Sequence, residues 1–273
     1  MIETVTNMSK GNLMIIGGAE DKTGECKILN EFAALSGLTE ARLVIITSAT
    51  ENPIEAGNQY KSIFTRLGIS HIDILNINSR DDANNSDNAK FTSEATGIFF
   101  TGGDQLRITS ILGGTKVFDA LHSAFNNGTV IAGTSAGASV MSGTMVVDGN
   151  NNEPARKCTL KMAPGLGLLD SVLIDQHFDQ RGRIGRLLCG VAENPSILGV
   201  GIDEDTAIRI FPDNHFAVLG SNSVTVVDGR NITSSNVSEL KPEELLAIAN
   251  VTLHVLPPGY GFDMSSRSVL RLH

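Results

Sequence analysis

Cysteine is scarce in this sequence of 273 residues, and its apolar runs are short. The cysteines Cys26, Cys158 and Cys189 are an odd number without a C-x-x-C spacing, which predicts scattered reduced thiols in a cytoplasmic protein. No apolar run approaches the roughly 20 residues that are needed to cross a bilayer. The first ten residues lack the apolar core of a signal peptide. We therefore expect neither a membrane span nor export.

Basic residues are also in deficit, and several binding motifs are missing. The net charge of −9 and the pI near 5.1 argue against a nucleic-acid partner. Neither G-x-x-x-x-G-K nor G-x-G-x-x-G occurs, so the sequence does not predict a nucleotide cofactor. No set of histidines, cysteines and carboxylates has the spacing of metal ligands. We expect no cofactor and no metal.

Composition and length indicate one globular unit. Hydrophobic residues make up 41% and charged residues 19% of the chain, values that are ordinary for a soluble domain. A chain of this length can bury a sizeable core. Because there is no internal repeat and no long linker, we predict a single domain over residues 1–273.

Short apolar runs alternate with helical patterns in the first half of the chain. Continuous apolar runs of the kind found in buried parallel strands are residues 13–16, 43–46, 98–100 and 130–132, and a further strand is predicted at residues 72–77. Helical spacing is found at residues 25–35, 53–67 and 117–125, whereas residues 81–88 are predicted to be a polar loop. This alternation predicts a mostly parallel sheet with helices on both faces.

The pattern changes after the fifth predicted strand. A polar loop is expected at residues 148–153, a strand at 172–174 and a helix at 181–192. Short runs separated by turn residues then predict antiparallel or mixed strands at the sheet edge: residues 198–202, 207–210, 216–219 and 224–227. Residues 251–256 are predicted to be the final strand.

The segment Gly133-Thr134-Ser135-Ala136-Gly137 has the G-x-S-x-G pattern of a nucleophile elbow, in which a strand turns sharply into a helix. The strained turn needs small neighbours, which Gly133 and Gly137 supply. The N–H of Ala136, at the start of the helix, could donate to an oxyanion. In a parallel sheet, ligands bind beyond the carboxyl ends of the strands. We call this edge of the sheet the rim, and we expect Ser135 to lie there together with residues 17–21, 47–49 and 102–105.

A serine nucleophile needs a base, and the base needs an orienting acid. Of six histidines, His177 alone ends a predicted strand within a polar cluster, downstream of Ser135. The acid remains open at this point. Several carboxylates follow predicted strands, and the candidates are Asp175, Asp179, Asp203, Glu204 and Asp205. With Glu204 as the acid, the chain order of Ser, His and Glu differs from the Ser, acid, His order of α/β-hydrolases.

Three arginines, Arg181, Arg183 and Arg186, follow the proposed base. Such a run is usually a solvated helix face, but paired guanidinium groups also bind carboxylates bidentately. Their position therefore favours a site for an acid-bearing substrate. The turn at Gly102-Gly103 could supply a second backbone donor to an oxyanion.

Five segments together resemble the cyanophycinase group of the peptidase E-like serine peptidases. They occur in that family's order and are residues 16–22, 101–107, 133–138, 175–178 and 201–206. The resemblance implies a flavodoxin-like or class I glutamine-amidotransferase-like three-layer fold, with serine in place of the amidotransferase cysteine. It also implies hydrolysis of cyanophycin, a polyaspartate whose β-carboxyls carry arginine, to β-Asp-Arg dipeptides.

The resemblance assigns expected roles residue by residue. It implies Ser135 as nucleophile, His177 as base and Glu204 as the third member, with Gly103 and Ala136 at the oxyanion. The residues that match the family's pocket are Gln105, Asp175, Gln176, Arg181, Arg183 and Arg186. It further implies a homodimer. Two alternatives are an isoaspartyl or aspartyl dipeptidase of the same superfamily and a non-catalytic amidotransferase-like binding module. After Thr206 no motif matches.

Overall fold

The computed structural model describes residues 10–157 and 160–272, so Cys158 and His273 lie outside the described residues. The strands are, in chain order, β1 (Leu13–Ile16), β2 (Arg42–Ile46), β3 (His71–Leu75), β4 (Gly97–Phe100), β5 (Val130–Thr134), β6 (Thr144–Gly149), β7 (Leu160–Pro164), β8 (Val172–Gln176), β9 (Leu198–Ile202), β10 (Thr206–Ile210), β11 (His215–Gly220), β12 (Val224–Asp228), β13 (Ser234–Ser235), β14 (Ile248–Ala249), β15 (Thr252–Leu256), β16 (Tyr260–Asp263) and β17 (Ser268–Arg271).

The helices are α1 (Lys27–Ser36), α2 (Pro53–Arg66), α3 (Arg80–Ala83), α4 (Ser86–Glu94), α5 (Gln105–Leu112), α6 (Lys116–Asn126), α7 (Ala136–Ser139) and α8 (Ile184–Glu193). Residues Leu38–Glu40 and Asp179–Arg181 form short 3-10 helices.

A nine-stranded sheet forms the centre of the fold, in the order β17-β16-β11-β10-β1-β5-β4-β2-β3. The strands β1 to β5 pair in parallel. The strands β10, β11, β16 and β17 extend the sheet beyond β1 by antiparallel pairing. The predicted α/β class is therefore confirmed, with a parallel sheet that carries extra antiparallel strands from the C-terminal part of the chain.

Helices cover both faces of this sheet. Successive side chains of a strand point to opposite faces, so the apolar strands present apolar side chains on both. On one face, Met14 of β1 lies in a cluster with Phe32 of α1 and Phe64 of α2. On the other face, Ile15 lies in a cluster with Leu121 of α6. All five residues are 0% exposed, so the three layers enclose two buried hydrophobic cores.

A second sheet of four strands, β15-β12-β9-β8, stands beside the first. The prediction that residues 198–202 and 224–227 join the edge of the central sheet is therefore wrong, because β9 and β12 pair with each other in the second sheet. An apolar run predicts a buried strand but does not specify its partners. This sheet brings the end of β8 to the rim, where the N–H of His177 donates to the carbonyl of Gly17 at 2.9 Å.

Three local expectations are also corrected by the structure. Residues 81–88 are not a loop, because their polar side chains cap helices: Ser79 and Asp82 form a capping box on α3, and Asn85 caps α4. Residues 251–256 are not the last strand, since β16 and β17 follow. The helix expected from residue 181 begins at Ile184, after a left-handed Gly182 with φ 56°.

Candidate active site

Ser135 stands in the turn between β5 and α7, with φ 54° and ψ −111°. Such a conformation is strained for a residue with a side chain, and the surroundings must impose it. Here the N–H of Ser135 donates to the carbonyl of Ile16 at 3.0 Å. Space behind the turn is minimal, because a Cβ at Gly133 would lie 2.3 Å from the carbonyl oxygen of Gly137. Only glycine fits there.

A chain of two hydrogen bonds connects Ser135 with a base and an acid. Ser135 Oγ lies 2.9 Å from Nε2 of His177, and Nδ1 of His177 lies 2.7 Å from Oε1 of Glu204. An ionised carboxylate only accepts hydrogen bonds, so Nδ1 carries the proton. Nε2 is thereby left to accept from the serine hydroxyl. The three residues are 27 or more positions apart in sequence, and the fold brings them together.

The imidazole of His177 is held tightly. Its residue has φ 48°, and the ring packs against Gly18, where a Cβ would approach Cε1 to 2.3 Å. Burial lowers the pKa of His177 below its ordinary value of 6.5. The hydrogen bond to Glu204 opposes this shift, and the positive charge of Arg181 adds to it. Near neutral pH the imidazole is therefore in its neutral form.

Among the described carboxylates proposed as the acid, Glu204 is the one bonded to His177. Asp203 accepts instead from the N–H of Asp179 and from Ser223. Asp205 accepts from the N–H of Asp21 and from Ser221. The backbone N–H of Glu204 donates to Oε1 of Gln180 at 2.9 Å. These contacts place the Glu204 carboxylate at the imidazole and turn its neighbours away.

Comparison with known proteins agrees with this arrangement of serine, histidine and glutamate on a parallel sheet. A model of peptidase family S51 matches residues 13–218. Over 261 residues the chain is 39% identical to the cyanophycinase of Synechococcus elongatus, a match that covers 95% of this chain and 81% of that protein. The chain belongs to peptidase family S51. It is therefore a hydrolase, a serine-type peptidase.

Two further comparisons are consistent with this membership. The cyanophycinase of Trichormus variabilis is 39% identical over 263 residues, which cover 96% of this chain and 88% of that protein. In structure, the chain resembles a crystallised peptidase from an acI-B1 actinobacterium, with a TM-score of 0.66 at 21% identity. The superposition covers 91% of this chain and 98% of that one. At this identity the structural likeness shows the shared fold.

Beside the hydrogen-bonded chain of Ser135, His177 and Glu204 lies a buried ionic cluster built on Asp175, which is 1% exposed. Arg186 binds this carboxylate with two nitrogens, and its Nε lies 2.6 Å from Oδ2. Arg183 reaches Oδ1 of Asp175 at 3.3 Å and Oε1 of Gln176 at 2.7 Å. Burial lowers the pKa of Arg183 to about 10, so the guanidinium stays charged at neutral pH. Two of the three arginines expected to bind substrate are thus engaged within the protein.

The same side chains also hold the segment after β6. Arg183 Nε donates to Oδ1 of Asn151 at 2.9 Å, and Arg186 Nη1 donates to the carbonyl of Gly149 at 3.1 Å. From the opposite side, Nε2 of Gln105 donates to the carbonyls of Val146 and Val147. The hydrogen bonds of Gln105, Arg183 and Arg186 therefore fix the position of residues 146–151.

Arg181 differs from the other two arginines. It is exposed, and its side chain makes no hydrogen bond or ion pair with residues 10–157 or 160–272. Burial is the main cause of the lowered pKa of His177, and the positive charge of Arg181 lowers that pKa further. Arg181 is therefore a cation near the triad that is available to an incoming group.

The expected oxyanion donors lie next to the serine. Ala136 is the first residue of α7, so its N–H has no partner within the helix. Gly102 lies near Ser135, since a Cβ built on Gly102 would be 3.4 Å from the Cβ of Ser135. Gly103 follows directly, with φ 145°.

No group of three or more His, Cys, Asp or Glu side chains in the described ranges could hold a metal ion. Across the same ranges, none of the helices is long and apolar enough to cross a membrane.

One residue that the sequence predicts at the rim, within residues 17–21, was assigned no role there. Glu20 is 3% exposed, and its carboxylate binds the hydroxyl of Thr134, the residue before Ser135. Glu20 lies in a segment that carries the family resemblance, but the sequence does not distinguish a buried glutamate from an exposed one.

Proposed function

We propose that this S51 peptidase is an exopeptidase that hydrolyses the polyaspartate backbone of cyanophycin to β-Asp-Arg dipeptides through an acyl-enzyme on Ser135. The observation that carries the proposal is the hydrogen-bond chain from Ser135 through His177 to Glu204. The curated relatives that are 39% identical are cyanophycinases, which favours this polymer over other peptides.

In the first step, Ser135 Oγ attacks the carbonyl carbon of a backbone peptide bond and gives its proton to Nε2 of His177. The imidazolium that forms is stabilised by Glu204 across 2.7 Å. The N–H groups of Gly103 and Ala136 donate to the oxyanion of the tetrahedral intermediate. His177 then protonates the leaving amine, and the carbon–nitrogen bond breaks. Water, deprotonated by the same imidazole, releases the acyl group and restores Ser135.

Recognition combines the exposed Arg181 with walls formed by Gln105, Asp175, Gln176, Arg183 and Arg186. Arg181 is the arginine with no partner among the described side chains, so it can meet a substrate carboxylate. Because Arg183 and Arg186 are bonded to Asp175, they supply a rigid positive wall and are not a mobile clamp.

The direct test is incubation of the purified protein with cyanophycin and mass analysis of the products. We expect dipeptides with the mass of β-Asp-Arg and no release of free arginine. A parallel incubation with short isoaspartyl peptides provides the comparison. If the protein hydrolyses those peptides and leaves cyanophycin uncleaved, it is assigned to the isoaspartyl dipeptidases. A lack of labelling by an active-site serine probe would favour the binding module.

The pH dependence of catalysis is expected to follow His177. The base works only as the neutral imidazole. We therefore expect kcat/KM to be at its full value above the pKa of His177 and to fall as the pH decreases through that pKa. Since burial lowers that pKa from 6.5, the acidic limb should lie below 6.5. Rates measured from about pH 4.5 to pH 8 locate the midpoint. An acidic midpoint above 6.5 would contradict the assignment of His177 as a buried base.

The variant Arg181→Lys should lower kcat/KM without lowering stability. Lysine keeps the charge but loses the planar fork. A charge-assisted hydrogen bond contributes about 1.5–3 kcal/mol, which corresponds to about a ten- to hundredfold loss. Arg42→Lys is a matched control, since Arg42 is exposed on β2 and is only loosely paired with Glu94 at 3.8 Å. Equal kcat/KM in both variants would remove Arg181 from the substrate site.

Arg186→Lys should behave in the opposite way, because it breaks a buried pair. Lysine cannot replace the two bonds from Arg186 to Asp175, and an unsatisfied buried acceptor costs about 1–3 kcal/mol. Thermal and urea unfolding should show the loss in stability. Wild-type unfolding of Arg186→Lys would show that the cluster is not a structural wall.

We further propose that residues 1–273 form one domain, which assembles as a homodimer in the cytoplasm. One observation supports the assembly: the edge strand β15 exposes the apolar side chains of Leu253 and Val255. Sedimentation of the wild type and of Val255→Glu tests the assembly. A monomeric wild type would contradict it.

A further inference from the structure

The segment of residues 17–21, after β1, touches the chain on both sides of the triad. The carbonyl of Gly17 accepts from the N–H of His177 at 2.9 Å, and that of Gly18 accepts from the N–H of Asp205 at 2.9 Å. The N–H of Asp21 donates to Oδ1 of Asp205 at 2.7 Å. Through these bonds the segment positions the backbone that carries the base and the acid.

Glu20 connects this same segment to the nucleophile. It is 3% exposed, and Oε2 accepts from the hydroxyl of Thr134 at 2.6 Å. The other oxygen accepts from the hydroxyl of Tyr60 at 2.5 Å and lies 3.1 Å from Nζ of Lys22. Both oxygens of a buried carboxylate are therefore bonded, so the side chain has no freedom to turn.

The bond to Thr134 reaches the strained part of the site. Ser135 has φ 54° and ψ −111°, which an unsupported serine would leave for a relaxed conformation. Thr134 is the last residue of β5 and is 3% exposed. A fixed Thr134 side chain limits rotation of the peptide unit that enters Ser135. Without that restraint, the hydroxyl would move away from its position 2.9 Å from Nε2 of His177.

We propose that Glu20 is a positioning residue, which acts through Thr134 to hold Ser135 in its reactive conformation. The proposal rests on the proposed function of Ser135 as nucleophile. Glu20 touches neither substrate nor any reacting atom. Tyr60 and Lys22 complete the shell that keeps this carboxylate in place.

The clean test removes one hydroxyl. Thr134→Val keeps the shape of the side chain but cannot donate to Glu20. The matched control is Thr129→Val in the turn before the same strand. It also removes a buried threonine hydroxyl, which donates to the carbonyl of Ala95 at 2.8 Å. Thr134→Ser restores the hydroxyl, and Glu20→Gln removes the charge at the other end of the bond.

Two readouts separate positioning from stability. One is the rate at which a fluorophosphonate probe modifies Ser135, measured well below the melting temperature of each variant. The other is the division of any loss with cyanophycin between kcat and KM. A small misplacement of a reacting group can lower the reaction rate about a hundredfold. We expect Thr134→Val and Glu20→Gln to lower probe rate and kcat about ten- to hundredfold with KM little changed.

The double variant decides whether both residues act through one link. If they do, Glu20→Gln combined with Thr134→Val is no slower than the slower single variant. Thr134→Ser should recover most of the rate, and Thr129→Val should keep it while melting earlier. Wild-type probe rates in Thr134→Val, or additive losses in the double variant, would overturn the proposal. If Glu20→Gln fails to fold, the comparison of valine with serine at position 134 still decides.

Failure of this proposal is distinguishable from failure of the proposed function. Ser135→Ala must be unlabelled and inactive for the function to stand. Normal rates in Thr134→Val, together with an inactive Ser135→Ala, would reject only the role of Glu20. Hydrolysis by Ser135→Ala would reject the nucleophile itself.

Discussion

Ser135→Ala should lose turnover of cyanophycin by about a millionfold, as serine triads do when the nucleophile is removed. The hydroxyl at 2.9 Å from His177 is the atom that would form the acyl bond, and alanine offers no substitute. The fold should survive, because losing one hydroxyl leaves the strand and the turn unchanged. Turnover is measured by dipeptide release, and folding by thermal melting.

A matched control is available close to the nucleophile. Ser142 is also buried, and its Oγ has no hydrogen-bond partner among the described residues. Ser142→Ala therefore also removes a buried serine hydroxyl, but one with no role in the reaction, and it should keep full turnover. Near-normal hydrolysis by Ser135→Ala would end the serine mechanism proposed for this chain.

Glu204→Gln should have the second largest effect, about a thousand- to ten-thousandfold in kcat by analogy with triads whose acid is made neutral. Glutamine cannot stabilise the imidazolium, and its amide can donate to Nδ1 of His177 and so favour the wrong tautomer. Apparent affinity should change little, since Glu204 faces the base at 2.7 Å. Steady-state kinetics separate kcat from KM.

Two controls accompany this variant. Glu31→Gln neutralises a glutamate of α1 with the same side-chain exposure, 35%, that is paired with Arg209 of β10. It should leave kcat unchanged. Asp175→Asn should mainly reduce stability, because Asp175 binds Arg183 and Arg186. A larger loss of kcat in Asp175→Asn than in Glu204→Gln would assign the orienting role to Asp175.

The parallel half of the fold was predictable from sequence. Residues 13–16 and 43–46 are continuous apolar runs, and such runs form β1 and β2 because strands buried on both faces need apolar side chains throughout. Ser135 was predictable as well, since the G-x-S-x-G pattern is local and Gly133 is required by its contact with Gly137, four residues away. Polar stretches were less informative. Residues 81–88 contain cap residues that serve a helix or a loop equally well.

Composition and local pattern by themselves determined the α/β class, the rim of the parallel sheet and the serine and histidine placed there. Each of these depends on properties of neighbouring residues: burial of a short run, small side chains in a turn, a polar cluster at a strand end. Which acid faces His177 was decided only in three dimensions, where the bonds of Asp203 and Asp205 turn both carboxylates away. The engagement of Arg186 by Asp175 and the burial of Glu20 behind Thr134 were decided in the same way. A side chain's partner depends on distances between segments that are far apart in the chain, and those distances exist only in the folded protein.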